Sequence, residues 1–424
     1  MMTAVALGAA LVLGFLGVPI GAAFIAGAVL AAGIVAPQML FVFPTVILRP
    51  FDNFTLLAVP LFIIAAEFIL FSGVGTTLIT GAARLAGARM LPATVVGIGV
   101  FFAGITGSSA AETSALGRLL MPLMESKGFK RADIGGLIAV TGGLGILIPP
   151  SIPMILYGLI TSTSISALFL AGLIPGLVCA AFLAIVGVLT LRPDPARARA
   201  AAPIALDKSR GKTGLRLVLT IALPVMMLWG IYGGYGTPTE IAAVVAAYGA
   251  ILMIGLEPRG WIANMMRASQ STADATSALF LILVGTSLIG YIATNEAVPQ
   301  RVAEWLAAQN MKPWEFLIWV NVLMLFLGCL LDGLSMMLLV VPLLFPATQA
   351  LGIHPVHFGI LIVVNIEIGA ITPPVGLNLF AISAVSNVQM GPLVRATLRY
   401  YPAMLALLLL VTFVPWITVG AWGR

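Results

Sequence analysis

Apolar runs long enough to cross a membrane succeed one another from one end of the chain to the other, separated by short breaks rich in Gly, Pro or charge. A hydrocarbon core of about 30 Å takes roughly 20 apolar residues per helix, so the pattern predicts an all-α polytopic membrane protein. The short alternating strands of a membrane barrel are not evident. The first run, residues 1–33, lacks a basic leader and is far longer than a signal core, so it reads as retained membrane helix, bent or split at Gly17-Val18-Pro19. One polar interruption stands out. Residues 192–216 hold seven Lys or Arg and only Asp194 and Asp207 as acids, and they read as a solvated loop. The positive-inside tendency puts that loop in the cytoplasm.

The loop divides two stretches that resemble each other. Gly145-Ile146-Leu147-Ile148-Pro149-Pro150 recurs 224 positions later as Gly369-Ala370-Ile371-Thr372-Pro373-Pro374, and a gapless comparison also pairs Gly135 with Gly359 and Leu137 with Leu361. A proline inside a helix has no N–H for the carbonyl four residues back. Broken backbone at membrane depth persists only where protein, water or an ion satisfies it. Two such breaks at matching places point to a transporter's central site. Upstream of each break lies an apolar segment interrupted by small or polar residues, which reads as a re-entrant hairpin. The first tip is Gly104-Ile105-Thr106-Gly107-Ser108-Ser109, and the second runs from Gly328 to Ser335. Ser109 and Glu112 have capping-box spacing, and a capped helix start also offers its positive dipole end to an anion. The resulting division is 1–59, N-terminal scaffold; 60–191, first repeat, with a hairpin near 92–122 and a broken helix near 134–160. Then come 192–216, the basic loop; 217–259, central scaffold; and 260–424, second repeat, with a hairpin near 314–349 and a broken helix near 357–386.

Composition narrows the chemistry. With 61% hydrophobic and 8% charged residues and a mean hydropathy of +1.13, the net charge of +6 comes from the loop and gives no reason to invoke nucleic acid. Asp332, inside an apolar stretch, is a functional candidate that also suits N-capping of the arm after it. Glu67 and Glu367 either meet a ligand or hold broken helix ends together, and Glu367 favours the second role. Arg84, Arg89, Lys127, Lys130 and Arg131 read as loop charges, and His354 and His357 as loop or surface residues. Cys179 and Cys329 lie in apolar runs, which disfavours a disulfide framework or thiol metal site.

Several segments together resemble the large membrane subunit of the tripartite ATP-independent periplasmic (TRAP) transporters over essentially the whole length. They are Gly17-Val18-Pro19-Ile20, Val59-Pro60-Leu61-Phe62-Ile63, Phe102 to Ala110, Ile148 to Pro153, Leu156-Tyr157-Gly158, Asp332, and Asn365 through Phe380. The resemblance implies two inverted repeats, with hairpins and broken helices forming an elevator-type transport domain on a scaffold. It implies sodium-coupled uptake of an organic acid across a bacterial inner membrane, with a separate small membrane subunit and a periplasmic binding protein. Carried over, one sodium site uses Ser108, Gly145, Ile148 and Pro150, and the other Gly333, Gly369, Thr372 and Val375. Ser109, Ser151, Asp332 and Asn378 are the substrate candidates. Sodium is the coupling ion, and no cofactor is expected.

Two other classes compete. A stand-alone sodium/dicarboxylate symporter would transport without partners. An integral-membrane enzyme would offer clustered aspartates, histidines or basic residues, and a chain with two histidines and no D-D-x-x-D-type cluster does not suit it. The absence of a G-x-x-x-x-G-K-[ST] motif disfavours direct ATP coupling.

Overall fold

Proline and glycine punctuate the helices where the sequence places them. The computed structural model describes residues 1–73, 87–200, 210–256 and 260–420, and no strand occurs among them. Arg84, and residues 201–209 of the basic stretch with Asp207 and Lys208, lie outside the described residues. Eight helices among the described residues are long and apolar enough to cross a membrane.

The N-terminal run is split into α1 (Met2–Phe15) and α2 (Ile20–Val35), which pack on each other. A short α3 (Phe43–Leu48) and a 3₁₀ turn (Arg49–Asp52) lead to α4 (Ala58–Phe71). The first hairpin is α5 (Leu91–Thr106) and α6 (Ser109–Ser126), reversing at Gly107. Gly107 has φ +62°, which only glycine adopts freely. The first broken helix is α7 (Arg131–Thr141), α8 (Leu144–Leu147) and α9 (Ile152–Thr161). The chain continues through α10 (Ile165–Thr190), a short α11 (Pro195–Ala200), α12 (Arg210–Tyr232), α13 (Pro238–Leu256) and the 35-residue α14 (Trp261–Asn295). The basic stretch is therefore not loop throughout, because α11 and the start of α12 fall within it.

An exposed amphipathic α15 (Val298–Ala308) precedes the second hairpin, α16 (Pro313–Gly328) and α17 (Gly333–Ala350). The second broken helix follows as α18 (Pro355–Gly369) and α19 (Leu377–Ser386), then α20 (Met390–Thr397) and α21 (Tyr401–Phe413). Pro313 and Pro355 sit in the first turns, where a missing N–H costs nothing.

The 224-residue spacing seen in sequence recurs in the helix boundaries. α6 and α17 are both 18 residues long and begin 224 positions apart, as do α7 and α18. The peptide bonds Pro149–Pro150 and Pro373–Pro374 are both cis. The first broken helix and α18 are buried almost throughout, and the two broken helices lean on each other: Tyr157 Oη donates to Pro355 O (2.6 Å), and Asn378 Nδ2 to Ala139 O (3.0 Å). Around them α2, α4, α13 and α14 form a second body, with α4 packed between α13 and α14.

Candidate functional site

Both hairpin tips, both breaks and two outer helices meet at one cavity of about 330 Å³, within the range typical of small-ligand pockets. The first hairpin brings Thr106 to Ala111, the second Asp332 to Leu334, and the broken helices bring Ile146, Ile152, Ile366 and Ala370. The outer wall is Ile63, Ala66, Glu67 and Leu70 of α4 with Ser271, Ala275, Ala278 and Ile282 of α14. On α14 these residues follow helical spacing and form one small-residue face. Glu67 is held by Ser271, whose Oγ donates to its Oε1 (2.6 Å).

The charged residues lining the cavity are Glu67 and Asp332, both acidic. Asp332 N-caps α17, accepting from Leu334 N and Ser335 N at 3.1 Å each and from the Ser335 hydroxyl. Its capping and cavity-lining roles coexist. Next to it lies a second cavity of about 10 Å³, bounded by Asp332, Gly333, Gly369 and Val375, a volume that holds about one water-sized particle. There the second hairpin touches the second break directly. A Cβ on Gly369 would lie 3.1 Å from Gly328 Cα, and Val375 N donates to Cys329 O (3.2 Å).

Of the residues proposed for substrate in sequence, Ser109 and Asp332 line the central cavity, whereas Ser151 and Asn378 do not. Ser151 is fully buried behind the break, donating to Ile146 O (2.5 Å) and accepting from Met154 N. Asn378 is fully buried, its Nδ2 donating to Ala139 O as above. Ser108, Gly145 and Pro150 converge at the first tip. Ser108 O lies 3.3 Å from a Cβ built on Gly145, and Pro150 O lies 3.0 Å from one built on Gly107. The Ile148 side chain packs on Gly176, and the sodium reading uses its backbone carbonyl, not that side chain. In the other group Gly333, Gly369 and Val375 share the small cavity, but the Thr372 hydroxyl donates to Ile368 O (2.6 Å) and accepts from Tyr401 Oη (3.0 Å).

Two readings need correcting. Ser109 and Glu112 do not form a capping box: Ser108 is the N-cap, and Glu112 turns inward, fully buried, where Thr106 Oγ1 donates to its Oε2 (3.4 Å) beside Gly145. His357 is buried, its Nδ1 2.8 Å from Thr418 Oγ1, while His354 caps α18 through Val356 N. Glu367, read in sequence as holding broken helix ends together, is fully buried. It packs on Gly143 of the other broken helix and accepts from Cys179 Sγ (3.3 Å). Ser271 was missed in sequence. Its signal is a polar, small-residue stretch, Ser269 to Ser277, inside an otherwise apolar long helix.

Comparison with known proteins follows the same lines. Residues 7–417 match the family described as "Tripartite ATP-independent periplasmic transporter, DctM component". The chain is 35% identical over 374 residues to the C4-dicarboxylate TRAP transporter large permease protein DctM of Pseudomonas aeruginosa, covering 87% of this chain and 86% of that one. It is 33% identical over 370 residues to the sialic acid TRAP transporter large permease protein SiaM of Vibrio cholerae, covering 87% and 86%. Among solved structures, the YdaH transporter of Alcanivorax borkumensis shares the fold, with a TM-score of 0.65 at 16% identity over 91% of this chain and 90% of that one.

Proposed function

Because the chain belongs to the DctM family, the large permease subunits of TRAP transporters, we propose that it moves a small organic acid anion into the cell by sodium coupling. It is a transporter subunit and not an enzyme, and membership implies a small membrane subunit and a periplasmic binding protein as partners. The substrate class we propose is a C4-dicarboxylate, sugar acid or similar carboxylate, taken up across a bacterial inner membrane.

The observation that carries this reading is the sign of the cavity's charge. An anion entering a site whose charged walls are Glu67 and Asp332 meets like charge. At about 5 Å and an effective dielectric of about 20, each such pair is unfavourable by about 3 kcal/mol. A cation seated in the ion-sized cavity at Asp332, Gly333, Gly369 and Val375 offsets that repulsion. Anion and cation then strengthen each other's binding by the same factor. Backbone carbonyls near Ser108, Gly145 and Pro150 offer a second cation position at the first tip, because Pro149 has no N–H to give the Gly145 carbonyl.

The topology supports inverted repeats. Between Thr161 and Pro313 run α10, α12, α13 and α14, an even number of long helices, and the first broken helix crosses once by itself. The bases of the two hairpins therefore fall on opposite faces, which suits alternating access to one site. The base of the first hairpin lies beside the basic stretch, with Asp194 N donating to Gly128 O (3.0 Å), and the positive-inside tendency supports reading that face as cytoplasmic. In an elevator cycle the hairpins and broken helices would slide against α4 and α14.

The test is uptake of labelled organic acids into proteoliposomes holding this chain, its small subunit and the matching binding protein, with each component and the sodium gradient omitted in turn. Loss of uptake on every omission is the expected result. Uptake by the chain alone would favour the stand-alone symporter.

A further inference from the structure

A third cavity, of about 510 Å³, continues along α14 from where the central one ends. Ile282 is the last α14 residue of the central cavity and Leu283 the first of the third. Their stretches of α14 are centred about 18 Å apart at a rise of 1.5 Å per residue. The same elements of the mobile body reach both. α9 supplies Ile152 to one and Ile160 to the other, and α17 supplies Leu334 and then Leu338. Leu279 lines the central cavity and Leu283 the other, and both are buried.

The chemistry of the two cavities is opposite. The upper cavity contains Arg49, exposed on its 3₁₀ turn, and no Asp or Glu lines it. Arg49 forms no ion pair among the described residues. Asp52, at the end of the same turn, is exposed and outside the wall. Asn53, Thr286, Ser287, Tyr291 and Thr294 line the same cavity. The Thr286, Ser287 and Thr294 hydroxyls are already donating to carbonyls of their own helix. A guanidinium in a cavity with polar side chains and no competing carboxylate is suited to a planar carboxylate.

We propose that this cavity is a second anion site, in which Arg49 receives a small organic carboxylate on the face of the protein opposite the basic stretch, before the anion reaches the central cavity. The proposal rests on the transport reading above for its place on the path. It differs in one respect: the upper site supplies its own positive charge and needs no sodium, whereas the central site, walled by two carboxylates, does.

That difference gives the test. Gly290 lines the upper cavity, and a Cβ added there meets nothing within 4 Å, so Gly290→Cys fits without displacing a neighbour. Ala278→Cys reports the central cavity from the same helix. Each variant, purified as the complex with the small subunit and without binding protein, is labelled with anionic and with cationic methanethiosulfonate reagents. The unsubstituted chain measures labelling of Cys179 and Cys329.

At Gly290→Cys the anionic reagent is expected to be favoured about threefold, the size of a partly exposed charge pair. Succinate or gluconate should slow labelling there with or without sodium. Adding Arg49→Gln should abolish both effects, and Arg49→Lys should restore the charge preference. No charge preference, protection that survives Arg49→Gln, or protection only with sodium would each overturn the proposal. Sodium-dependent protection at Ala278→Cys reports the central-site reading separately, so the two can fail independently.

Discussion

Pro373 acts through the N–H it lacks. Replacing it by alanine supplies a donor for the Gly369 carbonyl, which accepts from Thr372 N (3.0 Å). We expect Pro373→Ala to raise the sodium concentration needed for half-maximal uptake, measured across a sodium series in proteoliposomes. An unchanged sodium dependence would remove the break from the coupling. Ser151 and Asn378 show where residue-level reading stops. Both are polar and next to a proline break, as a ligand-binding residue would be, yet each faces a backbone carbonyl and not the cavity. Sequence proximity names the neighbourhood, but the direction of a side chain depends on which helix packs in front of it.

At the scale of elements, Asp332 combines a helix cap with a cavity wall, and two substitutions separate the roles. Asp332→Asn keeps an oxygen acceptor for Leu334 N and Ser335 N and should leave the melting temperature of the purified complex nearly unchanged while cutting uptake. Asp332→Ala should lose uptake and also about 1 kcal/mol of stability, the usual worth of an N-cap. Equal melting losses in both would mean that the carboxylate charge itself holds the tip. Glu296, just past α14, caps another element. It accepts from the Met1 ammonium (2.7 Å), Thr3 Oγ1 (2.6 Å), Thr3 N (2.8 Å) and Met2 N (2.8 Å), and so ties down the orphan donors of α1. The ammonium first, then the Thr3 hydroxyl and amide, hold its carboxyl down at about 2 from an ordinary 4.5. A lowered folded-state value means the stabilisation is complete above pH 4.5 and fades as pH falls towards 2. Glu296→Ala should therefore melt earlier than the parent at neutral pH, with the gap closing in acid. A gap constant across a pH series of melting curves would refute this. Hairpin and break limits were readable within a few residues, since Gly107, Pro313 and Pro355 are local signals. The capping box failed because Ser108 took the N-cap one position early and left Glu112 free to turn inward.

For the whole molecule, the even count of helices between the repeats predicts that Lys130 and Lys312, at the bases of the two hairpins, lie on opposite sides of the membrane. Lys130→Cys and Lys312→Cys, labelled with an impermeant thiol reagent from one side at a time, should react from opposite sides. Labelling of both from the same side would refute the inverted arrangement. What the sequence by itself determined is the class, the repeat and the paired breaks, because bilayer thickness, the missing proline N–H and positive φ are properties of short stretches of chain. Only the tertiary structure decided which groups share a cavity. Glu67 and Ser271 meet across 204 positions, Asp332 becomes both cap and wall, and Arg49 opens onto α14 in a cavity without acids. Such pairings depend on how helices distant in sequence are rotated and stacked. In an apolar chain, where nearly every helix face is hydrophobic, periodicity carries little record of that rotation.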